Sequence, residues 1–460
     1  MRKHIYLLTF LLTFLTFSTF TFSNGVQAAP LEEAKSIIQH VYVGEVNGDI
    51  EKAATIGQLV NMLDSYSDYY TYEEFMALTN AIDQKDVGIG VVVEQVDEGI
   101  LIVNALENGS AYEANIQAGD IITHVNGISI KGYSTLDATS LIKGTAGTKV
   151  TLDLKKTDGT FYTKTLTRKA FSVPVVTSSL LYGNIGYISL SSFSENGAHE
   201  VKKAAIKLQQ QGAKSFIIDL QNNTGGYVTT AQQLISLFPY TPLAYLEKQK
   251  TKVLNIKTLS LNYKLPGISR ILINRYSASA SEMVAASVID QQAATVYGER
   301  SFGKGTVQGF YSLPDGSILK LTQAEFVGPN NTKINKVGVR PHIETKSNPI
   351  FRAHLDAITE QFNNYKQLKS FTNVPSTKTF TLTFNKTITS TIPESAIELV
   401  TLGGNTVDIN IEKKDAQLII TPKEPLKNRG EYVLIVHPNQ FTGDNKQLKK
   451  GYYSHITVEN

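Results

Sequence analysis

The 460-residue chain contains no cysteine. This absence excludes disulfide bonds, thiolate metal sites, a cysteine nucleophile and a lipid-anchored N-terminal cysteine. The eight histidines are scattered, and none stands in the H-E-x-x-H spacing of zinc hydrolases. The G-x-S-x-G sequence of a histidine-assisted serine triad is also missing. We therefore expect no metal and no cofactor, and a hydrolase built on this chain would need a different arrangement of groups.

Dense positive charge is absent too, because the formal net charge of +3 is spread over the whole chain without a lysine or arginine block. Nucleic acid is therefore not an expected partner. The hydrophobic fraction of 42% is that of a soluble globular protein. Since 460 residues exceed what one hydrophobic core serves, we expect two to four domains.

One apolar run stands out, at the N-terminus. The basic M-R-K start, the long apolar stretch after it and the small residues Val26, Ala28 and Ala29 predict a signal peptide over residues 1–28, cleaved after Ala28. Because the apolar stretch is long, an uncleaved membrane anchor is the alternative. We expect an exported protein, extracellular or associated with the cell envelope. Export without disulfides suits a bacterial envelope.

Along the remaining chain, the pattern of apolar residues and glycines changes three times. Residues 29–82 show apolar residues at helical spacing and predict a helical cap segment, with a helix beginning at Thr71 and Glu74. Residues 83–170 contain short β-rich runs separated by glycines, and residues 171–368 alternate strands with helices, which predicts an α/β core with partly parallel strands. Residues 373–460 form an all-β segment after a polar join.

Residues 83–170 resemble a PDZ domain. The resemblance rests on G-I-G at Gly88, Ile89 and Gly90, on A-G-D-I-I at residues 118–122 and on a helical stretch from Asp137 to Ile142. It implies that the amides around Gly88, Ile89, Gly90 and Val91 hold a peptide's C-terminal carboxylate, while the next strand pairs with the extended peptide. The alternative interpretation of G-I-G is a simple hairpin turn.

A second stretch, N-R-Y-S-A-S-A-S-E-M from Asn274 to Met283, contains three serines on alternate positions. Ser279 followed by Glu282 is typical of a capping box at a helix start, which is the structural interpretation. A serine hydroxyl becomes a useful nucleophile only beside a base and near donors for an oxyanion. The question is therefore whether the chain offers such partners elsewhere.

The segment G-E-R-S-F-G-K-G-T-V-Q, residues 298–308, offers a base. It carries Lys304 between two glycines, which let the backbone approach another element closely. Lysine can take a proton only when desolvation lowers its pKa far below the ordinary value of about 10.4. Gln308 lies four residues further, on the same face if the segment is a strand, and would orient the amine.

These two motifs together resemble the C-terminal processing peptidases, also called tail-specific proteases. The resemblance implies Ser279 as nucleophile and Lys304 as general base, assisted by Gln308. A third motif, D-L-Q-N-N-T-G-G at residues 219–226, is similar to the family's D-L-R-x-N-P-G-G. It implies an oxyanion hole formed by the amides of Gly225 and Ala280. Gln221 and Thr224 depart from the family's arginine and proline but leave both glycines in place.

The C-terminal segment resembles the Ig-like domains of bacterial surface proteins, through F-T-L-T-F-N-K and P-L-K-N-R-G-E-Y-V-L. The expected fold is thus a multidomain α+β chain: a helical cap, a PDZ domain, an α/β serine-protease core and a C-terminal Ig-like β-sandwich. The resemblance implies an exported serine endopeptidase acting on protein or peptide substrates with free C-terminal tails. A cell-wall or surface partner for the Ig-like domain and a homodimer are left open.

Two rival interpretations compete with this one. The first is a phosphate loop, since Gly298 to Lys304 fits G-x-x-x-x-G-K, but Gly305 stands where serine or threonine should hold magnesium. The second is a noncatalytic surface protein that binds peptides and keeps a relic protease core. The presence of Ser279, Lys304 and Gln308 together argues against a relic.

Overall fold

The fold was taken from a computed structural model, which describes residues 30–345, 348–440, 442–443 and 446–460. The predicted signal peptide, residues 1–28, lies outside the described residues. Within those described ranges, no helix combines the length and the apolar composition needed to cross a membrane.

The N-terminal segment is mainly helical, as its apolar spacing predicts. Its regular elements are α1 (Pro30–Val41), α2 (Ile56–Val60), β1 (Asp68–Tyr70) and α3 (Tyr72–Ile82). The capping box expected at Thr71 is present, because Thr71 Oγ1 accepts a hydrogen bond from the Glu74 amide at 3.2 Å and Glu74 Oε2 accepts one from the Thr71 amide at 2.8 Å. The predicted start of α3 is therefore confirmed.

The segment that resembles a PDZ domain is built on a strongly paired sheet. Its elements are β2 (Lys85–Gly88), β3 (Val91–Val96), β4 (Gly99–Ala105), α4 (Ser110–Glu113), β5 (Ile121–Val125), β6 (Ile128–Ser129), α5 (Thr135–Ile142), β7 (Lys149–Lys155), β8 (Phe161–Thr167) and β9 (Lys169–Ser172). The strand order is β3-β4-β5-β7-β8, with β6 on β5, and β2 pairs with β9. Strand β3 therefore lies at an edge of its sheet, and α5 contacts β3 and β5.

The next segment contains the α/β core that the alternation of strands and helices predicts. Its elements are β10 (Val176–Leu181), β11 (Ile185–Leu190), α6 (Gly197–Gln210), β12 (Ser215–Asp219), α7 (Val228–Ile235), β13 (Leu243–Lys248), β14 (Val253–Lys257), β15 (Ser269–Ile273), α8 (Ala280–Asp290), β16 (Thr295–Gly298), β17 (Thr306–Ser312), β18 (Ile318–Val327), β19 (Ile343–Glu344) and α9 (Pro349–Thr359).

A six-stranded sheet in the order β10-β11-β12-β15-β16-β19 forms the centre of this segment. Strands β11, β12, β15, β16 and β19 run parallel, and only β10 is antiparallel to its neighbour. Since carboxyl ends of parallel strands meet at one edge, the loops after β12 and β15 lie side by side. Strands β17 and β18 belong to a different sheet, in which β18 pairs with β1, β13 and β17.

The C-terminal segment is all-β, and the expected Ig-like fold is confirmed. Its strands are β20 (Tyr365–Gln367), β21 (Phe371–Val374), β22 (Phe380–Thr383), β23 (Ile397–Thr401), β24 (Thr406–Val407), β25 (Ile409–Lys414), β26 (Gln417–Pro422), β27 (Glu431–Val436), β28 (Thr442–Gly443), β29 (Lys446–Gln447) and β30 (Gly451–Val458). A six-stranded sheet has the order β20-β30-β27-β23-β24, with β21 also paired to β30, and a three-stranded sheet has the order β22-β26-β25. Strands β28 and β29 pair with each other. Phe380, Leu399 and Leu434 contribute to the hydrophobic core of this segment.

The chain divides into two compact units that do not follow its linear segments. The first unit contains the chain up to Val173 together with Leu246–Ile256 and Gly305–Val327. The second contains Pro174–Tyr245, Lys257–Lys304 and Gly328–Asn460. Ser279 and Lys304 thus belong to the second unit, whereas the PDZ-like sheet and Gln308 belong to the first.

Within the second unit, the Ig-like segment shares a hydrophobic cluster with the α/β core. Leu181, Ile217 and Leu272 from the parallel sheet pack in the same cluster as Leu402 and Val433 from the Ig-like strands. The sequence suggests only a polar join between the two segments. Because a shared core buries apolar surface from both partners, the Ig-like segment stabilises the sheet that carries the loops after β12 and β15.

His354 forms a polar contact beside this shared cluster. Its side chain is 0% exposed, its Nε2 lies 2.9 Å from the Tyr182 carbonyl, and its Nδ1 accepts a hydrogen bond from the Gly403 amide at 2.8 Å. An imidazole with one donor and one acceptor nitrogen is neutral. Burial lowers the pKa of His354 to about 4, and the charge of Arg270 acts in the same direction.

We expect acid to destabilise the second unit through His354. An unfolded histidine titrates near pH 6.5 while the buried one stays neutral to about pH 4, so the unfolded state binds more protons over that range. The stability contributed by neutral His354 is complete above pH 6.5 and declines by roughly 3 kcal/mol as the pH falls toward 4. Urea unfolding at pH 7.5 and 4.5 should show a smaller pH dependence for His354→Gln than for the parent. His40→Gln, on the exposed side of α1, is the control, and equal pH dependence of the His354 variant and the parent would contradict this account.

Candidate active site

The loops after β12 and β15 are joined by hydrogen bonds. The Asn222 amide donates to Asn274 Oδ1 at 3.0 Å, and Asn274 Nδ2 donates back to Asn222 Oδ1 at 2.9 Å. The Ala278 amide also donates to the Asn223 carbonyl at 3.0 Å. The structure thus brings the D-L-Q-N-N-T-G-G motif next to the stretch with three serines.

Two of the three serines are fully buried and hold these loops together. Ser277 Oγ donates to the Leu220 carbonyl at 2.8 Å and accepts from the Asn274 amide at 2.9 Å. Ser281 Oγ donates to the Asn223 carbonyl at 2.8 Å. Both side chains are 0% exposed. Their hydroxyls therefore serve structure.

Ser279 differs from its neighbours in exposure and in backbone conformation. It is partly exposed and immediately precedes α8. Its φ of 55° and ψ of −110° lie in a region that non-glycine residues rarely adopt. Such strain concentrates at functional positions. The partial positive charge at the start of α8 favours negative charge developing beside Ser279.

Gly225 allows the neighbouring loop to approach Ser279 closely. A side chain at residue 225 would place its Cβ 2.9 Å from Ser279 Cβ and 3.2 Å from the Ala280 nitrogen, and Gly225 has a φ of +113°. The backbone of Gly225 and that of Ala280 therefore lie together, as the predicted oxyanion hole requires. The Gly225 amide donates to Asn223 Oδ1 at 2.9 Å and would have to share or exchange this bond to bind an oxyanion. The oxyanion hole stays a prediction.

Asp219 fixes the start of the same loop. Its carboxylate is buried and accepts hydrogen bonds from Tyr187 Oη at 2.7 Å, from the Gln221 amide at 2.8 Å and from Gln221 Nε2 at 3.0 Å. Burial raises the pKa of Asp219, whereas these hydrogen bonds act in the opposite direction. Gln221, which departs from the family's arginine, thus still contacts the aspartate of the motif.

Glu282 contacts four donors from two separate segments. Its Oε2 accepts hydrogen bonds from the amides of Ser279 at 2.9 Å and Lys304 at 2.8 Å. Its Oε1 accepts from the Gly303 amide and from Ser301 Oγ, both at 2.6 Å. The side chain is 0% exposed. Burial raises the pKa of Glu282, and the four hydrogen bonds oppose that effect.

The hydrogen bond to the Ser279 amide is the one that the capping box predicts. Nothing in the sequence spacing indicated that the same carboxylate reaches the segment of Lys304, about twenty residues further along the chain. Lys304 lies between β16 and β17 and is partly exposed. Glu282 therefore connects the backbones of the two residues to which the sequence assigns the chemistry.

Gln308 lies in the first unit, within β17. Its Nε2 donates to Thr306 Oγ1 at 2.9 Å and to Thr322 Oγ1 at 3.2 Å. Strand β17 begins at Thr306, after Lys304, and the pairing register shifts between Val307 and Gln308. Simple strand alternation therefore does not relate Lys304 to Gln308, and the assisting role of Gln308 stays a prediction.

The predicted carboxylate loop of the PDZ domain connects β2 to the edge strand β3. The Ile89 carbonyl accepts from the Ala111 amide and the Gly90 carbonyl accepts from the Leu106 amide, both at 2.9 Å. Because N–H and C=O of one peptide group point in opposite directions, the amides of Gly90 and Val91 point away from residues 106–111. Gly90 has a φ of +74° and passes so close to Gly109 that a Cβ would lie 2.5 Å from Gly109 Cα.

The helix beside this loop is fixed at both ends. Ser134 Oγ accepts from the Asp137 amide at 3.2 Å at the start of α5. At its end, the buried Arg168 donates from Nε to the Ile142 carbonyl at 2.8 Å and from Nη2 to the Leu141 carbonyl at 3.1 Å. A cation at a helix C-terminus also interacts favourably with the helix dipole.

Three family models match segments of this chain, and known proteins are similar to it in sequence. The model of Peptidase family S41 matches residues 184–345, that of the PDZ domain residues 101–156, and that of the bacterial Ig-like domain residues 369–454. The carboxy-terminal processing protease CtpA of Bacillus subtilis (strain 168) is 32% identical over 318 residues, which are 69% of this chain and 68% of that protein. The chain belongs to the carboxy-terminal processing proteases of family S41. Membership of this family implies serine protease activity.

A second relative of this S41 family member has a similar identity and coverage. A probable CtpA-like serine protease of Staphylococcus epidermidis is 31% identical over 70% of this chain and 66% of that protein. The chain thus spans about two thirds of the length of these relatives. A solved structure, the photosystem II D1 C-terminal processing protease, aligns with 72% of this chain and 96% of its own, with a TM-score of 0.45 and 24% sequence identity.

Proposed function

We propose that this protein is an exported serine endopeptidase in which Ser279 is the nucleophile, Lys304 the general base and Gln308 a residue that orients the lysine amine. Its substrates are proteins or peptides with free, unstructured C-terminal tails. The observation that carries the proposal is the difference among the three serines. Ser277 and Ser281 are buried and bonded to the loop after β12, whereas Ser279 is partly exposed at a strained helix start.

The proposed reaction follows from the chemistry of these groups. The neutral amine of Lys304 takes the proton of Ser279 Oγ as that oxygen attacks the scissile carbonyl carbon. The amides of Gly225 and Ala280 stabilise the negative charge that develops on the carbonyl oxygen. Collapse of this intermediate breaks the C–N bond, and the protonated lysine gives its proton to the leaving amine. Water then hydrolyses the acyl-enzyme by the same steps.

Substrate selection is assigned to the PDZ domain. Among the described strands, β3 lies at the edge of its sheet, and this position together with the glycine-rich turn before β3 supports binding of an extended peptide by strand addition. In this mode the peptide's terminal carboxylate lies near the amides around Gly88, Ile89, Gly90 and Val91. Val91 and Val93, which alternate along β3 and pack against the domain's hydrophobic core, favour apolar residues at the peptide's end.

Amidation of the substrate's C-terminus tests this recognition mode. An amide has no negative charge to interact with the glycine-rich turn, so we expect weaker binding and a higher KM for an otherwise identical peptide. Cleavage of the free-acid and amidated peptides is compared at several concentrations, and their binding to the Ser279→Ala variant is measured in parallel. Equal KM and equal affinity for both peptides would exclude carboxylate recognition. Tail binding by a parent protein that cleaves no peptide would instead favour the noncatalytic alternative.

A further inference from the structure

The carboxylate of Glu282 is placed unlike that of an ordinary helix cap. A capping glutamate bonds to the first residues of its own helix and usually remains solvated. Glu74 in α3 shows this arrangement, because it bonds to Thr71 and is exposed. Glu282 is 0% exposed, and three of its four donors come from residues 301–304.

The acceptor capacity of Glu282 is fully used. An ionised carboxylate offers about four lone-pair positions, two on each oxygen. Oε2 binds the amides of Ser279 and Lys304, and Oε1 binds the Gly303 amide and the Ser301 hydroxyl. A protonated acid or a carboxamide carries a hydrogen-bond donor of its own, which would face at least one of these four donors and break its hydrogen bond. The site therefore fits the ionised carboxylate and no neutral replacement of the same shape.

The segment of Lys304 is held by hydrogen bonds and not by regular secondary structure of its own. Residues 301–305 form no helix or strand. The segment is held on its other side by residues 336–339, where Ser301 Oγ accepts from the Val339 amide at 2.6 Å and the Gly303 carbonyl accepts from the Lys336 amide at 2.8 Å. A backbone hydrogen bond from the Phe302 amide to the Ser277 carbonyl at 3.0 Å joins this segment to the loop before α8. Glu282 joins it to Ser279 itself, whose backbone is strained.

We propose that Glu282 is a positioning residue that sets the separation of Ser279 and Lys304 by binding both backbone amides on one oxygen. The inference rests on the proposed function, since it assigns a reason for that geometry. Glu282 donates and accepts no proton in the reaction and touches no substrate. Its effect is on the distance and direction between the serine hydroxyl and the lysine amine.

The test compares Glu282→Gln with Glu74→Gln in the full-length exported protein. A carboxamide at residue 282 keeps the shape but turns an NH2 group toward two donors, so residues 301–304 should shift relative to Ser279. Displacement of reacting groups by about 1 Å can cost on the order of 100-fold in rate. We expect kcat to fall by about 100-fold with KM changed much less, because the PDZ domain is untouched. Glu74→Gln, in the matching capping box of α3, should leave kcat and KM unchanged.

Circular dichroism and thermal unfolding identify the folded fraction in each variant. The proposal is overturned if the lower kcat of Glu282→Gln is fully explained by a smaller folded fraction. It is also overturned if the folded Glu282→Gln variant has near-parental kcat. If Glu282→Gln does not fold, Ser301→Ala decides the question, since it removes one donor and keeps the carboxylate. A lower kcat at unchanged KM in folded Ser301→Ala supports the proposal, and an unchanged kcat overturns it. Failure of the proposed function is seen separately, as an inactive parent or an active Ser279→Ala variant.

Discussion

Replacement of Ser279 with alanine should abolish peptide-bond hydrolysis and leave the protein folded. Removal of a serine nucleophile typically lowers kcat by about 10⁴-fold or more. Stability should fall by only ~0.5–2 kcal/mol, the usual cost of alanine at a helix N-cap. The hydrogen bond from residue 279 to Glu282 uses the backbone amide and persists in the variant. The measurement is the cleavage rate of an unstructured polypeptide, with thermal unfolding as the check on folding.

The neighbouring serines are the matched controls for this experiment. Ser277→Ala and Ser281→Ala each remove a buried hydroxyl that bonds to the loop after β12. Loss of a buried hydrogen bond costs ~1–3 kcal/mol, so these variants should unfold at lower temperature than Ser279→Ala. At temperatures where they are folded, they should retain most of the activity. Residual cleavage by folded Ser279→Ala would show that Ser279 is not the nucleophile. Complete loss of activity in folded Ser277→Ala or Ser281→Ala would also contradict the assignment.

Exchange of Lys304 for arginine should inactivate the enzyme as fully as exchange for alanine. Arginine keeps the positive charge and a similar length, but its guanidinium does not lose a proton in proteins. If Lys304 only bound substrate through its charge, arginine would preserve part of the activity. Lys336→Arg is the matched control, because Lys336 is exposed on the segment that bonds to Gly303. That variant should have parental kcat and KM.

The parent's pH–rate profile tests the same role of Lys304. An ammonium has no lone pair, so only the neutral amine can accept the serine proton. Activity should therefore climb as the pH rises and the amine loses its proton. A rate that is flat across the alkaline range, together with a Lys304→Arg variant of near-parental turnover, would show that another group is the base.

Much of the fold could be predicted from local sequence patterns. Thr71 and Glu74 stand at capping-box spacing, and the predicted helix begins there. The alternation of strands and helices predicted a parallel sheet, because each helix that connects two parallel strands lies between them in the sequence. The cluster that joins Leu272 to Leu402 was not predictable in this way. Contacts between residues 130 positions apart depend on tertiary packing, which leaves no periodic pattern in the sequence.

The candidate site, too, could be predicted only in part from the sequence. Motif resemblance selected Ser279, and the buried contacts of Ser277 and Ser281 give a physical reason for that choice. The inference from Lys304 to Gln308 used strand alternation, which fails because β17 begins after the lysine and contains a bulge. Glu282 was interpreted only as a helix cap.

The buried carboxylate of Glu282 is a further feature of the site that residue spacing did not predict. Its Oε2 accepts a hydrogen bond from the backbone amide of Lys304 at 2.8 Å. This carboxylate already accepts four hydrogen bonds, which disperse its charge over the surrounding amides and a hydroxyl. Its position shows why spacing alone could not describe the electrostatics of the site.

The most direct test of the central claim is the location of a covalent adduct. The parent protein is incubated with a peptidyl phosphonate that ends in an apolar residue, and the modified peptide is sequenced by mass spectrometry. A serine activated by a neighbouring base attacks the phosphorus, so the account predicts one adduct on Ser279 that forms faster at higher pH and is absent from the Lys304→Arg variant. An adduct on Ser277, Ser281 or a residue outside this stretch, or equal labelling of the Lys304→Arg variant, would contradict it.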